Sequence, residues 1–277
     1  MKKNAFAFEA ELLANEEVGT RYHRLVLKAP EIAETARPGQ FVNLRVSRTL
    51  EPLLARPLGI FWSQKDSGEI ELLFKPVGRG TNLLKSVPAG EKLPISGPLG
   101  NAFRVDPEAE VHICVGGGTG MAPVYFLASQ LAAEGRDTCL VFGFRDSSYQ
   151  LPPEMMRRSG ASWRLASDAG EEGCHRGTAI DLLEMVLDGD YLGRKVALYV
   201  AGPAIMMKLA AEIARRRELS CEVSLETRMA CGLGVCRGCV VRCFDSAGQP
   251  VNRTACTYGP VFKSSEVDWD HYMSDHL

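Results

Sequence analysis

Short periods of alternating apolar and polar positions run through the first hundred residues. Tyr22–Leu27, Phe41–Val46, Leu58–Trp62 and Ile70–Phe74 read as strands, punctuated by Pro38-Gly39, Asp66-Ser67-Gly68 and Pro88-Ala89-Gly90. With one helix expected near Asn82–Val87, the pattern predicts a small closed antiparallel barrel. From Val111 the rhythm changes. Apolar runs at Val111–Val115, Thr138–Phe144, Trp163–Ala166 and Val196–Val200 alternate with helical periodicity at Ala122–Glu134, Ile180–Leu187 and Ala204–Arg217. That alternation predicts a doubly wound parallel sheet. After Cys221–Leu225 the helical pattern gives way to a Gly- and Cys-rich segment. The expected division is therefore a barrel over residues 1–105, an α/β domain over 106–220 and a small domain over 221–277.

The longest uncharged stretch, Val111–Ala133, reaches membrane-spanning length. Its interior argues against a span, because Gly116, Gly117, Gly118 and Gly120 weaken a helix and Pro123 removes a backbone donor. A strand, a turn and a helix fit it better. The opening Met1-Lys2-Lys3-Asn4 leads into Phe6 and Phe8 without the continuous apolar run of a signal peptide, so a cytoplasmic protein is expected. The formal net charge of -2 gives no electrostatic reason to bind nucleic acid or anionic lipid, which removes two partner classes. Arg215, Arg216 and Arg217 form the tightest basic run and read as a solvated helix end.

Five of the nine cysteines fall between Cys231 and Cys256, whereas Cys114, Cys139, Cys174 and Cys221 are scattered. Clustering in a cytosolic-looking chain with an odd total argues for metal ligation over a disulfide framework. Cys231, Cys236 and Cys239 stand as C-x4-C-x2-C, and Cys256 follows after sixteen residues, the plant-type [2Fe-2S] spacing. Gly232, Gly234 and Gly238 let such a loop fold tightly and offer backbone N–H groups to a negatively charged cluster. Zinc is the competing metal for four thiolates. It usually draws on paired short spacings or on histidine, and no His lies between Cys221 and Asp270. Cys243 is an extra thiol, expected to be passive.

Gly116, Gly117, Gly118, Thr119 and Gly120 form a turn between a strand and a helix, where a pyrophosphate can approach the backbone closely. Gly202-Pro203 recurs after the later strand on the same carboxyl edge. In the barrel, Arg56-Pro57-Leu58-Gly59 joins an always-charged guanidinium to a rigid extended segment, and Gly78-Arg79-Gly80-Thr81 precedes the helical run. Both suit a nucleotide diphosphate, and each taken alone could equally be a structural loop. At the end of the strand Thr138–Phe144, Arg145, Ser147 and Ser148 could receive a 2′-phosphate, whereas Asp146 would repel it.

Pro38-Gly39-Gln40-Phe41, Arg56-Pro57-Leu58-Gly59, Gly78-Arg79-Gly80-Thr81, Gly97-Pro98-Leu99-Gly100, both glycine turns, the cysteine cluster and Cys256-Thr257-Tyr258-Gly259-Pro260-Val261-Phe262 together resemble the ferredoxin reductase superfamily. Within it the chain is similar to the electron transfer subunits of NAD-dependent dihydroorotate dehydrogenases. The resemblance implies FAD near Arg56, Pro57, Leu58, Gly59, Leu73, Phe74, Lys75, Gly80 and Thr81. It places NAD across the turn at residues 116–120 and at Gly202 and Pro203, and a [2Fe-2S] cluster on Cys231, Cys236, Cys239 and Cys256. It also implies a partner catalytic subunit carrying FMN, with two catalytic and two electron transfer subunits in a heterotetramer. Three departures stand out: Gly59 replaces the family's Ser or Thr, Ala201 replaces a Cys common in reductases, and Cys243 is extra. No catalytic acid, base or nucleophile is required for an electron relay, and the five histidines show no ligand spacing. The alternatives are a flavin and iron–sulfur reductase subunit serving ferredoxin, sulfur species or a hydrogenase and, in a different class, a zinc-binding interaction module.

Overall fold

A computed structural model of the chain describes residues 6–275; the opening Met1–Asn4 segment and His276 lie outside the described residues. Strands β1 (Phe6–Val18), β2 (Tyr22–Lys28), β3 (Phe41–Leu44), β4 (Arg56–Gln64), β5 (Glu69–Phe74) and β6 (Lys92–Leu99) close into an antiparallel barrel in the order β1-β2-β5-β4-β3-β6. Their inward positions, among them Leu12, Leu25, Leu27, Val42, Leu44, Ile60, Ile70 and Leu72, are fully buried, which is what the alternation in the sequence demands. Two helices accompany the barrel where one was expected: α1 (Pro30–Thr35) and α2 (Arg79–Lys85). Helix α1 starts on Pro30, suited to a first helical turn, and turns Ile32 and Ala33 into the barrel core. Helix α2 begins three residues ahead of the expected Asn82, directly after Gly78.

The second layer contains β7 (Val111–Gly117), α3 (Met121–Ala133), β8 (Asp137–Phe144), α4 (Pro153–Arg158), β9 (Ser162–Ser167), β10 (His175–Arg176), α5 (Ala179–Asp188), β11 (Val196–Ala201), α6 (Ala204–Arg216) and β12 (Ser220–Ser224). A two-stranded ribbon follows, β13 (Val240–Phe244) and β14 (Pro250–Thr254), and then β15 (Val261–Lys263) and α7 (Trp269–Ser274). The main sheet runs β10-β9-β8-β7-β11-β12-β15, parallel throughout except for β15, which joins antiparallel at the edge. Chain order reverses between β7 and β11, the switch point at which open α/β sheets bind ligands. The expected division at residue 220 falls on the first residue of β12, so the sheet continues into the cysteine-rich segment and takes β15 from beyond it.

The uncharged Val111–Ala133 stretch now has a physical reason. Every residue of β7 is buried, and α3 is apolar nearly all round because it is packed between the sheet and barrel strand β4. Phe61 of the barrel stacks on Tyr125 of α3 at 4.2 Å between ring centroids. Beside it, the half-buried Arg158 at the end of α4 grips the buried Glu71 of β5 through two hydrogen bonds of 2.8 Å and lies 4.5 Å from the Trp62 ring centroid. Arg24 approaches the same carboxylate at 3.5 Å. On the opposite face, Arg216 and Arg217 pair with Glu184 and Asp188 at the end of α5, as befits a solvated helix end. Among the described residues no helix is long and apolar enough to cross a membrane.

Candidate functional site

The ribbon explains how two cysteines with sixteen residues between them meet. Val240 pairs with Thr254, and the Ala255 N–H donates to the Cys239 carbonyl at 2.8 Å, so Cys239 and Cys256 flank the open end of the hairpin. Their sulfurs lie 3.2 Å apart, and both residues are buried. Cys231 and Cys236 form a second pair on the preceding loop. Gly232 and Gly234 take φ of +69° and +85° there, a left-handed backbone that curls the chain around Cys231. As a result the Leu233 and Cys236 N–H groups donate to Cys231 Sγ at 3.3 and 3.4 Å, and the Gly238 N–H donates to Cys236 Sγ at 3.4 Å.

These amides, the Cys236 N–H first, pull the Cys231 thiol down to about 6, while burial pushes Cys256 up. Among the described residues no group of three or more His, Cys, Asp or Glu side chains is gathered to hold a single metal ion. Two thiol pairs instead suit a two-iron cluster, which takes two protein ligands on each iron; a lone zinc ion would need all four around one point. Cys243 is fully buried. It points with Val241 into the core on the alternate face of β13, and burial pushes its thiol up to about 11.

A cavity of about 550 Å³ opens between the barrel, the switch point and the segment leading to the cysteines. It brings together Arg56, Pro57, Leu58, Gly59, Leu73, Phe74, Lys75 and Thr81 from the barrel with Gly117, Gly118, Thr119, Gly120, Gly202 and Pro203 from the sheet edge. Gly116 lies outside this lining, and a Cβ there would crowd Val124 Cγ2 at 3.1 Å and Met121 Cα at 3.2 Å. Gly80 also stands behind the wall: a Cβ there would fall 2.2 Å from the Arg56 Nε and Nη2 atoms, so the missing side chain is what admits the guanidinium. Thr81 spends its hydroxyl locally, accepting the Val77 and Gly78 N–H groups at 3.0 and 3.1 Å.

The two glycine turns touch. A Cβ on Gly120 would lie 2.5 Å from the Ala201 carbonyl and from Gly202 Cα, and one on Gly117 would lie 2.9 Å from Pro203 Cδ. Gly59 is under no such constraint, since its Cβ position is 3.6 Å from Pro123 Cδ. Asp146 caps the short turn after β8, accepting the Ser148 N–H at 3.0 Å as well as its hydroxyl, and these bonds hold its carboxyl below the usual range. Glu171, from the connection between β9 and β10, accepts the Ser147 N–H at 2.6 Å and so brings a second carboxylate against the same turn.

The sequence pointed to neither Glu171 nor several residues of the cavity wall. Tyr22 and Tyr149 line it, with Lys75 Nζ 4.6 Å from the Tyr149 ring centroid, and so do Ser224, Leu225, Glu226, Thr227 and Met229 from the segment leading to the cysteines. Tyr22 and Tyr149 meet from opposite domains, which no local signal announces. The segment between the expected strand and Cys231 could have been found from its position in the sequence.

Two family models match the chain: the oxidoreductase FAD-binding domain over residues 9–103, and the iron–sulfur cluster binding domain of dihydroorotate dehydrogenase B over residues 226–268. The electron transfer subunit of dihydroorotate dehydrogenase B (NAD(+)) from Desulforamulus reducens is 37% identical over 265 residues, 95% of this chain and 98% of that protein. The chain belongs to this family. The corresponding subunit from Geobacillus thermodenitrificans is 32% identical over 92% of this chain and 96% of its own length. Among solved structures, the NADH-dependent reduced ferredoxin-NADP oxidoreductase superposes with a TM-score of 0.81 at 26% identity, covering 96% of this chain and 91% of that one. The ferredoxin reductase of carbazole 1,9a-dioxygenase, at 20% identity and a TM-score of 0.66 over 78% of this chain and 67% of that one, shares the fold. The chain is thus an oxidoreductase subunit of the dihydroorotate dehydrogenase B electron transfer family, with an FAD-binding barrel and an iron–sulfur binding segment.

Proposed function

We propose that the chain passes electrons from the FMN of a partner dihydroorotate dehydrogenase catalytic subunit to NAD+ in pyrimidine biosynthesis, working in the cytoplasm as part of a heterotetramer of two catalytic and two electron transfer subunits. One observation carries this reading: a single cavity gathers the barrel residues and both glycine turns, and its wall includes Ser224, Leu225, Glu226, Thr227 and Met229, the last of them two residues before Cys231. When bound, FAD supplies the exchange between the two-electron hydride chemistry of NAD and the one-electron chemistry of a [2Fe-2S] cluster.

Arg56, with Gly80 and Thr81 behind it, holds the flavin diphosphate by charge-assisted hydrogen bonding. Pro57, Leu58, Gly59, Leu73, Phe74 and Lys75 form the flavin wall. Gly116, Gly117, Gly118, Thr119 and Gly120, together with Gly202 and Pro203, give the nicotinamide nucleotide close access to backbone. Cys231 with Cys236, and Cys239 with Cys256, would hold the two irons of the cluster, and the Leu233, Cys236 and Gly238 amides, which donate to the Cys231 and Cys236 sulfurs, would offset its negative charge. The substrate site lies on the partner, because a dihydroorotate-oxidising barrel takes about 250 residues of its own.

Co-expression with a dihydroorotate dehydrogenase catalytic subunit tests this: the purified complex should convert dihydroorotate to orotate with stoichiometric reduction of NAD+. A complex that forms and reduces NAD+ only from reduced ferredoxin would instead support the reductase reading. The similarity to the NADH-dependent reduced ferredoxin-NADP oxidoreductase motivates that alternative.

A further inference from the structure

A second cavity, of about 610 Å³, shares no lining residue with the cofactor cavity. Its walls come from the link before β7 (residues 104–107), the last turns of α6, the start of β12, the end of β13 and the segment from β15 to α7. Ser220, Cys221 and Glu222 of β12 line it, whereas Ser224, two residues further along the same strand, lines the cofactor cavity. It therefore stands toward the amino end of the sheet strands, away from the carboxyl edge where the glycine turns meet. Clefts of this size between regions of a chain are where small organic ligands bind.

Three cations line it from three elements: Arg104 in the link, Arg215 on α6 and Lys263 at the end of β15. Their side chains have no hydrogen bond or ion pair among the described residues. The carboxylates of the same wall are placed differently. Glu222 is buried and accepts the Arg104 N–H at 2.7 Å, Asp106 accepts the Glu108 N–H at 3.0 Å, and the Glu212 charge is opposed by Lys208, four residues earlier on α6. The charge left without a local partner is positive. Trp269 and Phe244 add an aromatic wall. The Trp269 indole N–H donates to the Ser264 carbonyl at 2.9 Å, its ring stands edge-on to Tyr272 at 6.0 Å, and Lys208 clamps α7 to α6 through Asp270 at 2.8 Å. That wall is held in place before any ligand arrives, which lowers the entropy lost on binding.

We propose that this cavity binds a nucleotide-sized organic phosphate, its ring against Trp269 and Phe244 and its phosphate taken by Arg104, Arg215 and Lys263. A phosphate suits the cations better than a carboxylate does, because it presents oxygens in three directions and the cations come from a link, a helix and a strand. The aromatic wall gives a ring a place to leave water, which a free phosphate ion cannot use. The site goes beyond the electron relay. With no wall residue in common, either cavity can fill while the other stays open, so the ligand takes no part in moving electrons.

Calorimetric titration of the FAD- and cluster-loaded chain with AMP, GMP, CMP and UMP tests the proposal, with NAD+ at saturation so that the glycine turns are occupied. At least one should bind. Its affinity should fall roughly tenfold in Arg215→Glu and roughly threefold in Lys263→Gln, with FAD content, cluster absorbance and NADH-driven reduction of ferricyanide at the parent level. Lys92→Glu, which removes an equally unpaired cation from barrel strand β6, should bind like the parent. Absence of binding by all four, or parent-like affinity in both cavity variants, overturns the site. The matching nucleoside and inorganic phosphate are titrated separately, and each should bind roughly tenfold more weakly than the nucleotide. Phosphate that binds as tightly as the nucleotide overturns the ring contact. Should Arg215→Glu lose its cofactors, Arg215→Gln is titrated in its place, and parent-like affinity there overturns the site equally.

Discussion

Replacing Gly120 by alanine tests the contact between the two nucleotide turns. The added Cβ would stand 2.5 Å from the Ala201 carbonyl carbon and oxygen and from Gly202 Cα, all of them backbone. Carbon contacts settle near 3.5 Å, so the turns must part by about 1 Å. Ala201 cannot yield freely, because it is in register with Gly116 on one side and Ser224 on the other. Overpacking of this kind costs about 1 to 3 kcal/mol, roughly 2 to 10 °C in Tm for a chain of this size. The effect on function should be larger than the effect on stability, since a displacement of about 1 Å at a reacting centre can cost on the order of a hundredfold in rate. The assay is steady-state reduction of ferricyanide by NADH, with FAD content and cluster absorbance checked for each sample. Gly135→Ala is the control: it introduces left-handed strain at φ +75° with nothing within 4 Å of its Cβ, far from the cavity. It should lose about 1 to 2 kcal/mol and keep the parent's specificity constant for NADH. A Gly120→Ala protein with the parent's Tm and the parent's specificity constant would refute the packing argument.

Other expectations are more direct. Cys236→Ser and Cys256→Ser should each bleach the visible cluster absorbance while FAD is retained, whereas Cys243→Ser should leave it unchanged; bleaching by Cys243→Ser alone would reassign the fourth ligand. Arg56→Ala removes a charge-assisted phosphate contact of about 1.5 to 3 kcal/mol, so FAD affinity measured by flavin fluorescence should drop roughly tenfold to a hundredfold. Gly59→Ser adds a Cβ that clears Pro123 at 3.6 Å and should tighten FAD modestly. Glu71→Ala strands Arg158 and Arg24 at the barrel–sheet junction. With the Arg158 side chain about one-third exposed, the loss should be about 2 kcal/mol by urea unfolding, and an unchanged midpoint would show that the pair is not a brace. NADH should be preferred to NADPH because Asp146 in the turn after β8, and Glu171 reaching it from the β9–β10 connection, both place negative charge there. Asp146→Ser should narrow that preference, and a higher specificity constant for NADPH in the parent would reverse the assignment.

What the sequence made legible was local. The alternation of Ile70–Phe74 is a strand because every second residue meets the barrel interior, and β5 spans Glu69–Phe74. The C-x4-C-x2-C spacing was readable because three cysteines on one loop are held together by the covalent chain. Their division into two pairs was not, because it depends on the β13–β14 hairpin returning Cys256 to Cys239. Helix α1 escaped notice because its six residues, Pro30–Thr35, are too few to show a period. The Glu71–Arg158 and Tyr22–Tyr149 contacts lay beyond reach for another reason: they join segments of two domains, and each residue alone looks like an ordinary surface or strand position. Thr81 shows the opposite limit. Its residue type suited a phosphate contact, but the structure spends its hydroxyl on the turn that starts α2.

The cysteine-rich segment is built into the molecule and not appended to it, and this follows from its hydrogen bonds. Asn101, in the link between barrel and sheet, donates to the Tyr258 and Val261 carbonyls at 2.8 Å and accepts the Val261 N–H at 3.0 Å. Asn43 holds Cys231 from the barrel side, and β15 completes the sheet beside β12. Each of the three regions is thus tied to the other two, and Glu71–Arg158 closes the circuit between barrel and sheet. An electron relay needs this rigidity, because exchange between sites depends steeply on their separation and a freely swinging module would spend much of its time out of range. The same bonds dictate what truncation would do. Ending the chain at Ser224 would strip β15 from β12 and leave an unpaired strand edge, so such a fragment should aggregate instead of yielding a clean flavoprotein.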